Sequence, residues 1–510
     1  MIDSLLFILE DVCIVASSII LLLNLKLGLK IYQDCHYKYL EMLGAIKRLY
    51  IKFYLLIILI PFIFILDLWY VRLIYLVYLV VIYLKLKRFK FITKLKFTSR
   101  IIRQCIFSVV FLTILGTLLM MFVKLNSLIS LLALFIVASP VLTFIIGVLV
   151  YPIEALVRNN YKLQAKRKLK KYKPTVIGIT GSCGKTSIKN IVFDLINNDV
   201  MAYMSKKSYN TVNGLSMTIN DYVSKEDLIL VLEMGATKTN DISELVKFTH
   251  PEVGIVSEIA YQHMNTFKSI EEIVKEKMKL IEGLTGRKIA ILNYDNEYIR
   301  NYHIKNDCKL ITIGSSKTYT YYATNISHSL DGLEFDVNGK VSFRVKTKLV
   351  GLHHVNNILL SIACALEFGV KTESIKERLI TLEYIKNRLE VKFNGNITII
   401  DDSYNSNHQG FLNALDILSF AKTKKYLITP GIVDAGKLTK QLNYSLGNKI
   451  KEVCDEVILI NNPSSVYIHN GLIDLGYENI KVVDSYKEAI KLINHGCVLI
   501  ENDLPDKYFI

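Results

Sequence analysis

The amino-acid sequence predicts an α-helical membrane domain followed by two α/β domains, and three observations carry that prediction. Residues 1–152 consist largely of long Leu, Ile, Val and Phe runs, whereas residues 175–510 have an ordinary globular composition. In the second part, short apolar strands alternate with amphipathic helices, a pattern typical of doubly wound sheets. A glycine-rich turn also joins a strand to a helix within residues 176–190, which is the setting of a phosphate-binding loop.

Composition narrows the class of protein further. At 510 residues the chain exceeds one domain, since about 150 residues per domain is the usual expectation. The net charge of +16 alone would suit a nucleic-acid-binding protein, but 51% hydrophobic residues and the lack of a nucleic-acid motif argue against it. The eight cysteines, from Cys13 to Cys497, include no CxxC pair, so reduced thiols are expected rather than disulfides or a zinc site.

The apolar part predicts about five transmembrane helices. Crossing the hydrocarbon core takes about 20 apolar residues, and the stretches 4–24, 104–123 and 128–151 reach that length. The stretch 54–84 is too long for one helix at about 1.5 Å per residue. We expect it to form two short spans that turn at Asp67, Leu68 and Trp69.

The distribution of Lys and Arg predicts the orientation of these spans. Three segments are rich in basic residues: 25–52, 85–103 and 158–173. The positive-inside rule places all three in the cytoplasm, which puts the N-terminus outside and the α/β domains inside. The first span contains Glu10 and Asp11 and lacks a basic leading region, so a cleaved signal peptide is not expected. We expect residues 153–173 to be a basic linker that contacts anionic lipid.

The glycine-rich turn has a shorter form than the common P-loop. The pattern G-x-x-x-x-G-K-[ST] requires a glycine where this chain has Ile179. The strand TVIGI (175–179) instead leads into T-G-S-C-G-K-T-S, and a helix follows. In such a turn, backbone N–H groups hold phosphate oxygens, Lys185 reaches the terminal phosphates and Thr186 ligates magnesium. A strand–turn–helix with chance glycines is the alternative. The predicted phosphate-binding residues are Thr180, Gly181, Ser182, Cys183, Gly184, Lys185, Thr186 and Ser187.

This short loop resembles the ATP loop of the Mur ligase family, and the resemblance extends over residues 175–510. It is carried by separate segments: KSYNTVNGLSMTIN (207–220), LILVLEMGATKTNDISEL (228–245), residues 251–284, AILNYDNEY (290–298), GLHHVNNILLSIACALEFG (351–369), RLE (388–390) and IIDDSYNSN (399–407). The resemblance implies a P-loop Mur-ligase-type central domain at 174–386 and a smaller Rossmann-like C-terminal domain at 387–510. The D-S-Y-N-[AS]-N segment is similar to the branch that adds D-alanyl-D-alanine to a UDP-muramyl-tripeptide.

The resemblance implies an ATP-dependent amide (peptide) ligase of peptidoglycan synthesis at the bacterial cytoplasmic membrane. Such an enzyme phosphorylates a carboxylate to an acyl phosphate, which an amine then attacks, and cations stabilise the crowded phosphate oxygens. Lys185 and magnesium would supply that charge, with Thr186, Glu233, His263 and a carbamoylated Lys277 as implied metal ligands. The plain alternatives are a surface glutamate after a strand, a loop histidine, and a solvated lysine beside Lys275, Glu276 and Lys279.

The resemblance also assigns residues to the nucleotide and to domain closure. Arg388 is an implied catalytic residue that reaches the phosphates when the last domain closes. A simple turn is the alternative for residues 293–295. The implied nucleotide contacts are Asn293, Asp295, His353, Asn357, Arg388, Asp402, Tyr404, Asn405 and Asn407.

The sequence departs from the family in three places. His354 stands where the family usually has Asn, and the C-terminus lacks a Lys-Gly-Ser ending. The membrane region stands where the family usually has a soluble domain that binds the UDP-sugar. A ligase acting on a lipid-linked or other envelope substrate therefore stays open, as do a poly-γ-glutamate synthase, disfavoured by DDSYNSN, and an ATP-regulated transporter, disfavoured by few intramembrane polar groups. Expected partners are a muramyl-peptide precursor, D-Ala-D-Ala or another amine, membrane lipid and other cell-wall enzymes, with no nucleic acid.

Overall fold

The computed structural model describes eleven stretches of the chain. These are residues 2–35, 37, 42–44, 68–88, 95–122, 128–206, 208–224, 228–262, 266–404, 408–433 and 438–502. The described residues form two compact units, one ending at Asn159 and the other beginning at Asn160. The domain boundaries at residues 152, 173 and 386 stay predictions.

The first unit is built from apolar helices. Its helices are α1 (Ile2–Asp34), α2 (Trp69–Arg88), α3 (Ser99–Phe122) and α4 (Leu128–Tyr172), the last of which continues into the second unit. Within the described residues, four stretches are long and apolar enough to cross a membrane: Leu6–Asp34, Trp69–Lys87, Ser99–Phe122 and Val141–Tyr172. Of the two spans predicted within residues 54–84, the first lies outside the described residues. Helix α2 begins at Trp69, where the turn between the two spans is predicted. Residues 153–172, predicted as a linker, are helical.

The surface of this unit is apolar. Phe7 is 68% exposed, and Val77, Val109 and Met121 are each 67% exposed. Large apolar side chains that are this exposed along long apolar helices suit a hydrocarbon environment. The four helices therefore have the surface that membrane-spanning segments require.

The second unit contains a nine-stranded sheet in the order β2-β3-β1-β4-β5-β6-β7-β8-β9. The strands are β1 (Thr175–Thr180), β2 (Ala202–Met204), β3 (Ile229–Glu233), β4 (Val253–Val256), β5 (Ile289–Asn293), β6 (Lys309–Gly314), β7 (Tyr321–Ser329), β8 (Gly332–Gly339) and β9 (Phe343–Thr347). Pairing is parallel from β2 to β7, and β8 and β9 add an antiparallel edge. The buried run of β1 fits its central place, because central parallel strands are covered on both faces.

Helices cover both faces of this sheet. They are α5 (Lys185–Ile196), α6 (Val212–Tyr222), α7 (Asp241–Thr249), α8 (Ile270–Glu282), α9 (Glu297–Arg300), α10 (His353–Glu367) and α11 (Thr372–Thr381). Because strand side chains alternate, Ile177 and Ile179 join the core formed with α5, α10 and α11, while Val176 joins the core formed with α6, α7 and α8. This arrangement brings the carboxyl ends of the parallel strands to one edge, where α/β sheets bind ligands.

The chain ends in a smaller six-stranded sheet in the order β10-β11-β15-β12-β13-β14. Its elements are β10 (Glu390–Asn394), β11 (Ile397–Asp402), α12 (His408–Ser419), β12 (Lys425–Thr429), α13 (Thr439–Val453), β13 (Glu456–Ile460), α14 (Ser465–Asp474), β14 (Ile480–Val483), α15 (Tyr486–Lys491) and β15 (Gly496–Glu501). Only the β10–β11 pair is antiparallel among the described strands of this sheet. The predicted α/β class is thereby confirmed for both parts.

Two glycines allow α13 and α14 to approach closely. A Cβ atom on Gly471 would lie 2.6 Å from the Tyr444 carbonyl oxygen, and one on Gly447 would lie 3.0 Å from the Gly471 carbonyl carbon. We expect Gly471→Val to separate the helices and lower the free energy of unfolding by about 1–3 kcal/mol, the usual cost of overpacking. Thermal denaturation measures the loss. The exposed neighbour Asn470 provides the control Asn470→Ala, and equal melting temperatures for the two variants would contradict the close contact.

Candidate active site

The loop between β1 and α5 lies at the carboxyl edge of the large sheet and is bounded by two glycines with positive φ. Gly181 has a φ of +154° and Gly184 a φ of +78°. A Cβ atom on Gly184 would lie 2.5 Å from Asn357 Oδ1, and one on Gly181 would overlap Ser257 Oγ. Both positions therefore need glycine. Since α5 begins at Lys185, the free N–H groups of its first turn face the loop, as anion binding requires.

Neighbouring strand ends hold the loop in place. Ser182 Oγ donates to the Ala260 carbonyl at 3.0 Å and accepts from the Ala260 N–H at 2.9 Å. The Ser182 N–H donates to the Glu258 carbonyl at 2.6 Å, and Thr180 Oγ1 donates to the Met234 carbonyl at 2.9 Å. Ser257 Oγ donates to the Cys183 carbonyl. The loop is thus preorganised by its own protein contacts.

Two lysines converge on the loop. Lys185 Nζ donates to the carbonyls of Gly181 (2.7 Å) and Ser182 (3.0 Å), and Lys277 Nζ donates to the same Gly181 carbonyl at 2.9 Å. Burial lowers the pKa of Lys185. Burial, followed by repulsion from Lys185, lowers the pKa of Lys277 to about 7. A pKa of about 7 favours the neutral amine at and above neutral pH, and carbamoylation requires a neutral amine.

The charged neighbours of Lys277 have other surroundings. Lys275 is exposed, whereas Lys277 is only 2% exposed. Glu276 accepts the N–H groups of Asn240 (2.9 Å) and Ile242 (2.8 Å) at the start of α7, and Lys279 pairs with Glu276 at 2.6 Å. A solvated charged face describes Lys275 but not Lys277. The metal-binding role of Lys277 stays a prediction.

Glu233, at the end of β3, carries a buried carboxylate beside Thr186. Its Oε2 accepts the Thr186 hydroxyl at 2.9 Å, its Oε1 accepts Asn210 Nδ2 at 3.1 Å, and Lys189 Nζ lies 3.9 Å from Oε2. Sequence reasoning missed Asn210 and Lys189. Two sequence features could have identified them. Asn210 is the Asn of KSYN, and Lys189 follows Lys185 by one helical turn.

The donor set at Glu233 fits magnesium by its chemistry. Magnesium prefers hard oxygen ligands and usually takes one or two from protein while keeping water and phosphate oxygens. The carboxylate of Glu233 and the hydroxyl of Thr186 are such ligands. In the described part of the chain no group of three His, Cys, Asp or Glu side chains could hold a metal. His263 lies outside the described residues, so its role stays a prediction.

The predicted Asn293–Asp295 contact region forms a hydrogen-bonded turn. Asn293 Oδ1 accepts the Asp295 N–H at 3.1 Å, and Asp295 Oδ1 accepts both the N–H and the hydroxyl of Ser315 at 2.9 Å. Asn356 Nδ2 lies 3.3 Å from Asp295 Oδ2. The simple-turn alternative accounts for these bonds, and nucleotide contact by either residue stays a prediction.

The start of α10 brings further polar side chains to the loop. The rings of His353 and His354 lie 4.3 Å apart, and burial lowers the pKa of His353 to about 4 and that of His354 well below its usual value. Both imidazoles are therefore neutral at pH 7. Asn357 approaches Gly184 through Oδ1, while its Nδ2 and the Nδ1 atoms of both histidines have no hydrogen-bond partner among the described residues. Buried polar atoms of this kind call for a polar ligand.

Arg388 occupies a constrained segment at the entry to the last domain. Asn387 and Leu389 on either side have positive φ angles of 59° and 47°. Asn387 Nδ2 donates to Ser403 Oγ at 2.7 Å, and the Leu389 N–H donates to Asp402 Oδ1 at 3.2 Å. The segment DDS (residues 401–403) thus holds Leu389 in a backbone conformation that leucine rarely adopts.

The side chain of Arg388 lies 4.2 Å above the ring of Tyr404, whose hydroxyl contacts Ser208 Oγ. Burial raises the pKa of Asp402 to about 6, although the Arg388 charge opposes that rise. Burial is the main cause of the lowered pKa of Lys185 and of His353, and the Arg388 charge lowers both further. The structure brings Arg388, Asp402 and Tyr404 together. Asn405 and Asn407 lie outside the described residues.

Comparison with known proteins identifies relatives of the part of the chain that contains this site. A family model described as the Mur ligase middle domain matches residues 179–365. The UDP-N-acetylmuramoyl-tripeptide–D-alanyl-D-alanine ligase of Buchnera aphidicola is 31% identical over 54% of this chain. The UDP-N-acetylmuramoylalanine–D-glutamate ligase of Caldicellulosiruptor bescii is 27% identical over 62% of this chain. The match covers 66% of that enzyme. This chain covers 60% of the Buchnera enzyme, which is less than two thirds of its length.

Solved structures share the fold. The MurF ligase of Thermotoga maritima in complex with ADP superposes with a TM-score of 0.59 at 22% identity. The match covers 68% of this chain and 80% of that structure. The two α/β parts therefore have the Mur ligase fold.

The pKa of Lys277 gives a direct test of the site. With the value lowered to about 7, the ammonium should be present below pH 7 and lost as the pH rises through 7. NMR of protein labelled with ¹³C at lysine Cε measures that titration. The signal should vanish in Lys277→Met and persist in Lys275→Met. A lysine signal that is lost in Lys277→Met but titrates only near the ordinary value of about 10.4 would contradict the buried placement.

Proposed function

We propose that this chain, which carries a Mur ligase middle domain, is an ATP-dependent amide ligase of peptidoglycan precursor synthesis. The proposed reaction joins D-Ala-D-Ala to a UDP-muramyl-tripeptide through an acyl phosphate. The observation that carries the proposal is the meeting of three features at one sheet edge. These are the glycine-bounded loop, the Thr186–Glu233 pair and the buried amine of Lys277.

In this proposal the loop N–H groups and Lys185 bind the phosphates of ATP. The substrate carboxylate attacks the γ-phosphorus, the bond to the β-phosphate oxygen breaks, and ADP leaves. The amine then attacks the acyl carbon, phosphate departs with the carbon–oxygen bonding pair, and the amine loses a proton. Lys185 and Arg388 stabilise the negative charge that gathers on the phosphate oxygens. Magnesium, held by Thr186 and Glu233, would neutralise the remaining oxygens.

Lys277 enters the proposal as a modified residue. The neutral amine, which predominates above pH 7, attacks the carbon of CO₂ and releases one proton, leaving a carbamate. The modification replaces a cation beside Gly181 with an anion that has two oxygens. This removes the repulsion between Lys277 and Lys185 and creates an oxygen ligand for a metal.

The choice of substrates rests on the D-S-Y-N-S-N segment at residues 402–407 and on relatives that act on UDP-muramyl peptides. A second candidate is a Mur-type ligase with a lipid-linked or other envelope substrate, which the apolar helices favour. The proposed location is the bacterial cytoplasmic membrane, with the ligase domains in the cytoplasm, because basic residues flank the apolar helices. The proposed partners are the muramyl precursor, the amine and membrane lipid.

Lys185→Met tests the phosphate-binding role. We expect ligation to fall at least about 10²-fold, the cost of removing one charge-stabilising group, while the melting temperature stays close to wild type. Release of ADP and phosphate should require both the carboxylate and the amine substrate, and mass spectrometry identifies the product. The exposed Lys275→Met is the matched control. Ligation at the wild-type rate by folded Lys185→Met protein would rule out this loop as the ATP site.

Lys277→Ala tests the carbamate. We expect turnover to fall about 10²-fold or more and to be partly restored by acetate or formate, since a small carboxylate supplies the same two oxygens. In wild-type protein, ¹³C-labelled bicarbonate should produce a carbamate signal that grows as the pH rises through 7 and is absent from Lys277→Ala. An unchanged turnover in Lys277→Ala would show that this lysine only packs against the loop.

A further inference from the structure

A polar cluster joins three helices of the first unit. It comprises Tyr32 near the end of α1, Arg100, Arg103 and Gln104 at the start of α3, and Glu154 on α4. Arg103 donates two hydrogen bonds to Glu154, from Nε to Oε1 at 2.6 Å and from Nη2 to Oε2 at 3.0 Å. Glu154 is only 3% exposed, whereas the Arg103 side chain is 35% exposed, so the carboxylate is the buried member of the pair.

Among the residues that the structure describes, the cluster contains two guanidinium groups and one carboxylate. Arg100 Nε lies 3.7 Å from Glu154 Oε2, too far for a hydrogen bond, and the Arg100 side chain is 20% exposed. The other charges on this part of α1, Lys30 and Asp34, pair with each other at 2.5 Å. Two guanidinium groups therefore share one carboxylate. A surplus cation that is largely removed from water favours a further anion.

Two side chains of the cluster, Arg100 and Gln104, carry donors without an acceptor in the described part of the chain. Arg100 Nη2 donates to the Tyr32 hydroxyl at 3.2 Å, and the guanidinium lies 4.1 Å above the ring of Tyr37. Arg100 Nε has no hydrogen-bond acceptor among the described residues, and both amide atoms of Gln104 have no partner there. Gln104 is fully buried and follows Arg100 by one helical turn, so the two side chains share a face of α3.

The position of the cluster along α3 limits which ligands can reach it. Arg100 and Gln104 lie in the first turn and a half of α3, before its continuous apolar run, and α3 is long enough to cross a membrane. Polar groups at that end of a span meet the headgroup layer rather than the hydrocarbon. A partner for Arg100 and Gln104 should therefore be an anionic acceptor located in the lipid headgroup layer.

We propose that Arg100 and Gln104 form a binding site for the phosphate of an anionic membrane lipid. The Arg100 Nε–H and the Gln104 amide N–H donate to phosphate oxygens, and the surplus guanidinium charge balances the phosphate. The Gln104 carbonyl oxygen can accept a hydroxyl of the headgroup. The site stands on the first unit alone and is independent of the proposed ligase reaction.

The test uses full-length protein in detergent with three probes: short-chain phosphatidylglycerol, short-chain phosphatidylcholine and inorganic phosphate. Thermal-shift titration gives the affinity, and native mass spectrometry counts the lipid retained. We expect wild-type protein to prefer phosphatidylglycerol over the other two probes by about tenfold or more. Gln104→Leu and Arg100→Gln should each weaken its binding at least about tenfold, which corresponds to losing one good hydrogen bond to a charged group.

Matched controls separate binding from folding. Gln104→Leu replaces a buried amide that lacks partners, so the lipid-free protein should melt at the wild-type temperature or above. Arg72→Gln removes an arginine of α2 that pairs with Glu10 at 3.1 Å, and it should leave phosphatidylglycerol binding unchanged. Unchanged phosphatidylglycerol binding in Gln104→Leu would overturn the site. Equal binding of inorganic phosphate would overturn a lipid as the ligand, and equal binding of phosphatidylcholine would overturn the need for a net negative charge.

Discussion

The carbonyl oxygen of Gly181 accepts hydrogen bonds from two lysines, and the rest of the active-site arrangement depends on that meeting. Lys185 reaches it from α5 and Lys277 from α8, at 2.7 and 2.9 Å. Two cations cannot share one buried carbonyl at full charge without strong repulsion, because burial removes the water that would screen them. The low pKa of Lys277 follows from burial first and from repulsion by Lys185 second. In the proposed function, incoming phosphate oxygens would relieve that repulsion.

The loop also depends on distances that only glycine permits. Ser257 and Asn357 approach Gly181 and Gly184 so closely that any side chain at either position would displace them. These contacts link the ends of β1 and β4 to the start of α10. Asn357 thereby becomes part of the wall around the loop. Its Nδ2 has no hydrogen-bond partner among the described residues, so a polar ligand there would satisfy a buried donor.

A second constraint lies at the junction of the two α/β parts. Arg388 is carried by a backbone with positive φ at Asn387 and Leu389, and the segment DDS holds that backbone by hydrogen bonds. Backbone strain of this kind persists only where the surrounding structure enforces it. The strained segment directs a guanidinium over Tyr404, from where its charge reaches the phosphate loop. Residues 401–404 therefore combine a structural role at the strand end with the placement of a cation.

The sequence by itself determined the broad architecture and much of the proposed site. Apolar runs marked the helical first unit, alternating strands and helices marked the α/β class, and TGSCGKTS marked the loop, because these signals are local in the chain. Tertiary structure decided the rest. It selected Lys277 from its charged neighbours as the lysine facing the loop, and it brought Asn210 and Lys189 to Glu233. It also left Arg100 and Gln104 with donors that have no acceptor in the described part of the chain. No local pattern contains these facts, because burial and partnership depend on elements far apart in the chain.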